Sequence, residues 1–203
     1  MSRDLIEPES EIFPNRYRWR VEACYRLMDL GFLEGRFEIL DGEVISKVGQ
    51  KPPHRIAIIL LVKWLHSLFD ALHVQSEGPI TLPVPDGVYS EPEPDIVVTR
   101  EPTTVYVNRH PGPEDLLFVM EVSDTTLRTD LLVKARLYAR AGIAEYWVLD
   151  LNARQIHVHR EPADGEYRVV TLHAEGESIA LAVRPNAPIA IANLLPPIAE
   201  AAT

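Results

Sequence analysis

Polar and apolar residues alternate along this chain in a way that predicts a series of short elements around one nearly all-apolar run. From Tyr17 to Leu30, the spacing of Val21, Cys24, Tyr25, Met28 and Leu30 predicts an amphipathic helix, with Gly31 as its stop. The segment RFEILDGEVISK, residues 36–47, places β-prone arms on either side of Asp41-Gly42, a strong two-residue hairpin signal. A long helix is expected over Arg55 to Leu72. Its start is limited by Pro52 and Pro53, and its face is marked by Ile56, Ile59, Leu60, Lys63, Trp64 and Leu68. Val74 to Leu82 reads as a strand, the Pro-rich acidic segment 83–93 as a loop, and Asp95 to Thr99 as a short strand. Residues 100–115 read as a surface connection with a β-prone TVYV piece.

The most informative stretch follows. Leu116 to Val122 is nearly all apolar, as a strand covered on both faces should be. Thr125 to Ala141 is helical, with Gly142 as its stop, and Ala144 to Asp150 is again a strand. Strand, helix, strand over so short a span predicts a right-handed crossover between parallel strands. Gln155 to Arg160 and Glu166 to Leu172 form a hairpin through Asp164-Gly165, and IAIANLL, residues 189–195, packs as a last strand or turn. Residues 1–16, acidic and interrupted by Pro8 and Pro14, read as a loosely packed lead-in, residues 17–195 as a single domain, and residues 196–203 as a frayed tail.

Composition narrows the function. The chain has 203 residues and a formal charge of -10, which argues against a protein that coats nucleic acid through a broad basic surface, but not against an enzyme with a local positive groove. Arg128, Arg136 and Arg140 beside Lys134 are candidates for such a groove, although a charge run of this kind is usually a solvated helix face. With Cys24 the one cysteine, an intrachain disulfide and a cysteine metal cluster are excluded, and a cytoplasmic compartment is expected. No signal-peptide core and no apolar run of membrane-spanning length is visible, so no membrane association is expected.

Three ionisable residues fall where water should be scarce. Strand alternation puts Leu117, Val119, Glu121 and Ser123 on one face, and Leu116, Phe118, Met120 and Val122 on the other. Asp95 follows Pro94 at a strand start. At about 100° per residue, Lys134 lies on the same helical stripe as Leu127, Leu131 and Tyr138, while Arg136 and Arg140 fall opposite. The ordinary explanation of Lys134 is a surface pair with Asp130 at i, i+4. The alternative is chemistry: two carboxylates on neighbouring strands can hold Mg²⁺ with water and phosphate oxygens, and a lysine nearby can orient water or stabilise charge on phosphate. His157 and His159 share a strand face, but with no third ligand in view they are expected to be surface-strand residues.

Pro94-Asp95 followed by Glu121-Val122-Ser123 resembles the PD-(D/E)XK nuclease superfamily, whose core runs helix, three strands, helix, strand. Ser123 stands where that pattern has its lysine. FEILDGEV at 37–44, His54, EPD at 93–95, MEVSDTTL at 120–127, Asp130 with Lys134, and LYARAGIAEYWVLDL at 137–151 are similar to the Uma-type family of bacterial restriction-endonuclease-like proteins. The resemblance implies an α/β restriction-endonuclease-like core with a mixed sheet, an N-terminal β-hairpin and extra C-terminal strands. It implies a DNA endonuclease dependent on Mg²⁺ or Mn²⁺, with Asp95 and Glu121 as metal ligands and Lys134 as the catalytic lysine. Glu38 either completes the site or is an exposed strand carboxylate; His54 either contacts phosphate or water or caps its helix. Cutting both strands would favour a homodimer. Ser123 and the acidic charge also fit a non-cleaving module that binds nucleic acid or a protein partner, and a hydrolase of small phosphate esters is a third reading.

Overall fold

The computed structural model describes residues 17–47, 49–84 and 87–198; the expected lead-in at 1–16 and residues 199–203 of the expected tail lie outside the described residues. Helix α1 (Val21–Asp29) precedes a hairpin of β1 (Phe37–Leu40) and β2 (Glu43–Ser46). The hairpin turns at Asp41 and Gly42, both at positive φ (50° and 82°), as a two-residue turn of this kind requires. Helix α2 (Pro52–Leu65) leads to β3 (Val74–Ser76), a small hairpin of β4 (Leu82–Val84) and β5 (Gly87–Ser90), then β6 (Ile96–Thr99) and β7 (Leu116–Ser123). A π-helical turn (Thr129–Lys134) runs into α3 (Ala135–Arg140), followed by β8 (Glu145–Asp150), β9 (Gln155–Ala163) and β10 (Glu166–Ala174). The short β11 (Ser178–Ile179) and β12 (Ile189–Ala190) close the described chain with a 3-10 turn at Ile191–Leu194.

Six strands form one mixed sheet in the order β10-β9-β8-β7-β6-β3, parallel between β7 and β8 and antiparallel elsewhere. The expected core order of helix, three strands, helix, strand is present as α2, β3, β6, β7, α3, β8. Its two faces are covered by different helices. On one, Ala57, Leu61, Trp64 and Leu65 of α2 meet Ile96, Phe118, Met120 and Trp147, with the Trp64 and Trp147 rings stacked at 5.9 Å. On the other, Leu137 and Tyr138 of α3 meet Val97, Val119, Tyr146 and Val148. Alternation in every central strand thus sends one set of side chains to each helix, which is why β7 and β8 read as continuous apolar runs.

Several expectations need correction. The helix expected over 55–72 begins at Pro52, where a missing N–H costs nothing, and ends at Leu65. Its buried face is Ala57, Ile58, Leu61, Trp64 and Leu65, while Ile56 and Ile59 are exposed, Ile59 lying between Arg55 and Lys63 on their solvent face. The expected strand 74–82 stops at Ser76, and the expected loop 83–93 contains β4 and β5. TVYV forms a 3-10 turn after Pro102. The helix expected from Thr125 starts at Leu127 and contains the π-turn. A bulge opposite Val98 and Thr99 shifts the register at the start of β7, so Leu117 packs on the α2 side and Leu116 on the α3 side. No helix among the described residues is long and apolar enough to cross a membrane.

His159 is not the surface residue expected. It is buried among Tyr146 and Tyr167, with its Nε2 unpartnered. Burial, and secondarily the neighbouring His157, push its pKa from 6.5 down to about 4. The unfolded chain takes up this proton near pH 6.5 and the folded chain only near 4, so stability is present above 6.5 and is lost as pH falls toward 4. Urea unfolding at pH 7 and pH 5 should therefore show a loss for the native chain that exceeds that of His159→Phe by about 2 kcal/mol.

Candidate active site

Register brings the two strand carboxylates together. β6 and β7 pair Val97 with Val119 and Ile96 with Met120, so Asp95 and Glu121 occupy the next positions across the ladder. They lie on the α3 face. Asp95 Oδ2 accepts the Val122 backbone N–H at 2.8 Å, which anchors the carboxylate at the strand start. Glu121 takes the place an apolar residue would fill between Val119 and Ser123.

The π-turn delivers Lys134 to this point. Its ammonium donates to Glu121 Oε1 at 2.9 Å and reaches Glu38 Oε2 at 3.0 Å, whereas Asp130 Oδ1 stands at 3.9 Å. The simple i, i+4 pair is therefore the weakest of the three contacts. Tyr138, one turn on, donates its hydroxyl to the same Glu121 oxygen at 3.0 Å. Wider turns of this kind recur at functional positions, and here the Asp130 carbonyl accepts from both the Ala135 N–H and the Tyr146 hydroxyl, the latter at 3.1 Å. Arg136 and Arg140 point away, to Glu166 at 2.9 Å and Asp41 at 2.5 Å, so these two lie on the solvated helix face rather than in a positive groove, and they fasten the two hairpins.

Glu38, Asp95, Glu121 and Asp130 are all buried around Lys134. One ammonium cannot neutralise four carboxylates, and the pKa shifts follow from that imbalance. Lys134 is held charged: burial opposes its charge, but Glu121, Glu38 and Asp130 raise its pKa above the usual lysine range. Burial drives Glu121 well above the carboxylate range, opposed by Lys134 and reinforced by Asp130, Asp95 and Glu38. Asp130 is raised by burial despite hydroxyl donors Ser123 and Thr126, each at 2.6 Å. Asp95 goes the other way: burial raises it, but the His54 ring, with Nε2 3.2 Å from Oδ2, and the Val122 N–H carry it below the usual range.

These residues line one cleft of about 200 Å³ between the β1–β2 hairpin, the start of α2 and the π-turn. All five positions singled out from sequence, Glu38, His54, Asp95, Glu121 and Lys134, lie on it. Glu38 is buried rather than exposed, and its Oε2 also accepts the Glu93 N–H at 3.2 Å. His54 does not cap α2; its Nε2 faces Asp95, and its Nδ1 is buried without a partner. Asp130, Ser123 and Tyr138 were not foreseen as members. The signal for Tyr138 was its place on the Lys134 stripe, and for Asp130 the SDTT run that supplies its hydroxyl donors.

A family model, Uma2, described as "Putative restriction endonuclease", matches residues 25–192. The chain belongs to the Uma2 family. A solved structure titled as a putative nuclease belonging to DUF820, from Anabaena variabilis, is similar in fold to this Uma2 chain, with a TM-score of 0.61 at 14% identity, over 83% of this chain and 96% of that one. No curated protein matches it.

The residues present fit a divalent cation of the hard, oxygen-loving kind. Among the described residues no three His, Cys, Asp or Glu side chains form a ready cage. Mg²⁺ does not need one, since it keeps waters and binds through one or two carboxylates plus substrate phosphate. Asp95, whose pKa is lowered, offers an ionised carboxylate, and a cation beside Glu121 would favour the ionised form that burial opposes. Two substitutions test this charge balance in metal-free protein. Lys134→Ala leaves Glu121 and Glu38 buried without a counterion and should cost about 3–5 kcal/mol in urea unfolding. Glu121→Gln removes one surplus charge and should leave stability unchanged or raise it by about 1 kcal/mol.

Proposed function

We propose that this Uma2 chain is a metal-dependent endonuclease that hydrolyses DNA phosphodiester bonds in the cleft between α2, the hairpin and the π-turn. The observation that carries the reading is the buried Lys134 ammonium set between Glu121 and Glu38, across the ladder from Asp95. Asp95 and Glu121 would hold Mg²⁺ or Mn²⁺, which when bound polarises the scissile phosphoryl group and makes water a better nucleophile.

The chain's own groups supply the remainder. An ammonium has three donors; one is given to Glu121 at 2.9 Å, Glu38 is an ion-pair neighbour at 3.0 Å, and Asp130 at 3.9 Å is beyond hydrogen-bond length, so donor capacity is left for the attacking water or a phosphate oxygen. Lys134 stays protonated throughout, acting by electrostatic stabilisation rather than as a base. Tyr138 and Lys134 fix Glu121 Oε1 between them, so that the other oxygen, Oε2, is presented in a set orientation. His54 orients Asp95 through Nε2. Water adds across the P–O bond, its oxygen to phosphorus and a proton to the departing oxygen.

Ser123 favours a second reading, a nuclease-fold module that binds nucleic acid or protein without cleaving, because it occupies the superfamily's lysine position and its hydroxyl is engaged by Asp130. Plasmid nicking separates the two. The native chain should nick supercoiled DNA with Mg²⁺ or Mn²⁺ and stop when EDTA is added. Glu121→Gln and Lys134→Ala, confirmed as folded by circular dichroism, should each be slower by about a hundredfold or more. Nicking by both variants at the native rate would rule the assignment out. Calorimetric metal binding without any nicking by the native chain would favour the second reading.

A further inference from the structure

Helix α2 has a second use for its outer face. Its sequence, PPHRIAIILLVKWL, contains no acidic residue, although the chain as a whole carries a net charge of -10. Between α2 and the free edge strand β3 runs a groove of about 560 Å³ lined by Arg55, Ile59, Val62, Lys63, His66 and Glu77. Gln50 lines both this groove and the cleft, so the two adjoin there.

Among the described residues the cations of this groove are not engaged by acids, whereas many others on this surface are. Arg36, Lys47, Lys51, Arg136 and Arg140 each have a carboxylate within ion-pair distance. Among the described residues Arg55 and Lys63 have none, though both are exposed. The one acid of the groove, Glu77, is already engaged by Gln50 at 2.7 Å and Arg36 at 3.4 Å. Arg55, Ile59, Lys63 and His66 recur at helical spacing and so share one face. From Arg55 to Lys63 is a rise of roughly 12 Å, the axial length of three to four phosphates of one strand. Two exposed cations spaced by that length, on a helix without acids that starts at the cleft beside His54, have the chemistry of a sugar–phosphate track. Ile59 and Val62 offer apolar contact to deoxyribose.

We propose that this groove is the nucleic-acid subsite flanking the cleft, in which Arg55, Lys63 and His66 take the phosphates of the strand that passes Gln50. The inference rests on the endonuclease reading and adds where the substrate lies. The nearest rival occupant is a second copy of the chain seated on Ile56 and Ile59.

Binding of a short fluorescein-labelled DNA duplex, followed by anisotropy across a salt series with Mg²⁺ and in the Glu121→Gln background so that the probe stays intact, tests it. Arg55→Glu and Lys63→Glu should each weaken binding by about fivefold or more and lower the slope of log Kd against log salt by about one. Arg26→Glu, an equal charge change on exposed α1, should alter affinity by less than about twofold. If all three variants weaken binding equally, or if Arg55→Glu and Lys63→Glu bind normally while the native chain nicks plasmid, the subsite is wrong and the endonuclease reading stands. If the native chain neither binds the duplex nor nicks plasmid with metal, both fall. Conversion of a native dimer to monomer by Ile59→Glu in gel filtration would assign the groove to a second copy and overturn the proposal.

Discussion

A single buried ammonium ties together three parts of this fold at one point of the cleft. Glu121 belongs to the central sheet, Lys134 to the crossover helix and Glu38 to a hairpin outside that sheet, and the three meet at 2.9 and 3.0 Å. The hairpin has other attachments as well: backbone hydrogen bonds tie Gly42 to Trp19 and Tyr89 and Ile39 to Glu91, Leu40 enters the core on the α3 side, Ile39 packs with α1, and the exposed Arg140 pairs with Asp41. Exposed ion pairs contribute little. The buried contact is different, because moving any partner away strands the others without solvent or counterion. Placement of the hairpin over the cleft is thus coupled to the same charges that the proposed chemistry uses.

Those charges are arranged at a cost in stability. Four carboxylates around one lysine and one histidine is a poor electrostatic solution for an isolated protein, and a core of the same shape built from apolar residues would be more stable. The excess is local. Elsewhere buried charge is well compensated: Glu145 accepts Arg160 at 2.6 and 2.8 Å, the Trp147 ring N–H at 2.9 Å and the Ala182 N–H at 2.8 Å. The contrast between a satisfied acid at one end of β8 and under-satisfied acids in the cleft is what singles the cleft out, since both are equally buried.

Much of this was legible in the chain. The β7, helix, β8 crossover followed from one apolar run, a stripe and a second apolar run, and Lys134 could be placed because Leu127, Leu131 and Tyr138 bracket it at helical spacing. The solvent face of α2 was marked too, by Arg55 and Lys63 four residues to either side of Ile59, which is exposed with them. Three things were not legible. The π-turn changes a hydrogen-bonding register without changing composition. Asp130 four residues before Lys134 looks like a solvent-facing pair, and only the tertiary position of Ser123 and Thr126 shows that it turns inward to their hydroxyls. His159 was misjudged because a histidine on a polar-looking strand gives no hint of the tyrosines that cover it.

Ser123 deserves a geometric rather than a motif-based explanation. Two residues beyond Glu121 on the same strand, it faces the same side, and its hydroxyl meets Asp130 at 2.6 Å. A lysine there would compete for the volume above Glu121 that Lys134 already fills from the helix, and would take Asp130 from its hydroxyl donors. A short side chain on the strand and a long one on the helix are therefore two halves of one solution: the ammonium arrives from above, and the strand position is released to hold the acid beside it. Restoring lysine at position 123 alone would not recreate the superfamily arrangement, because it would crowd two ammonium groups into a space built for one. In this cleft the positive charge between the carboxylates is delivered from the helix, and the strand carries the hydroxyl that holds Asp130.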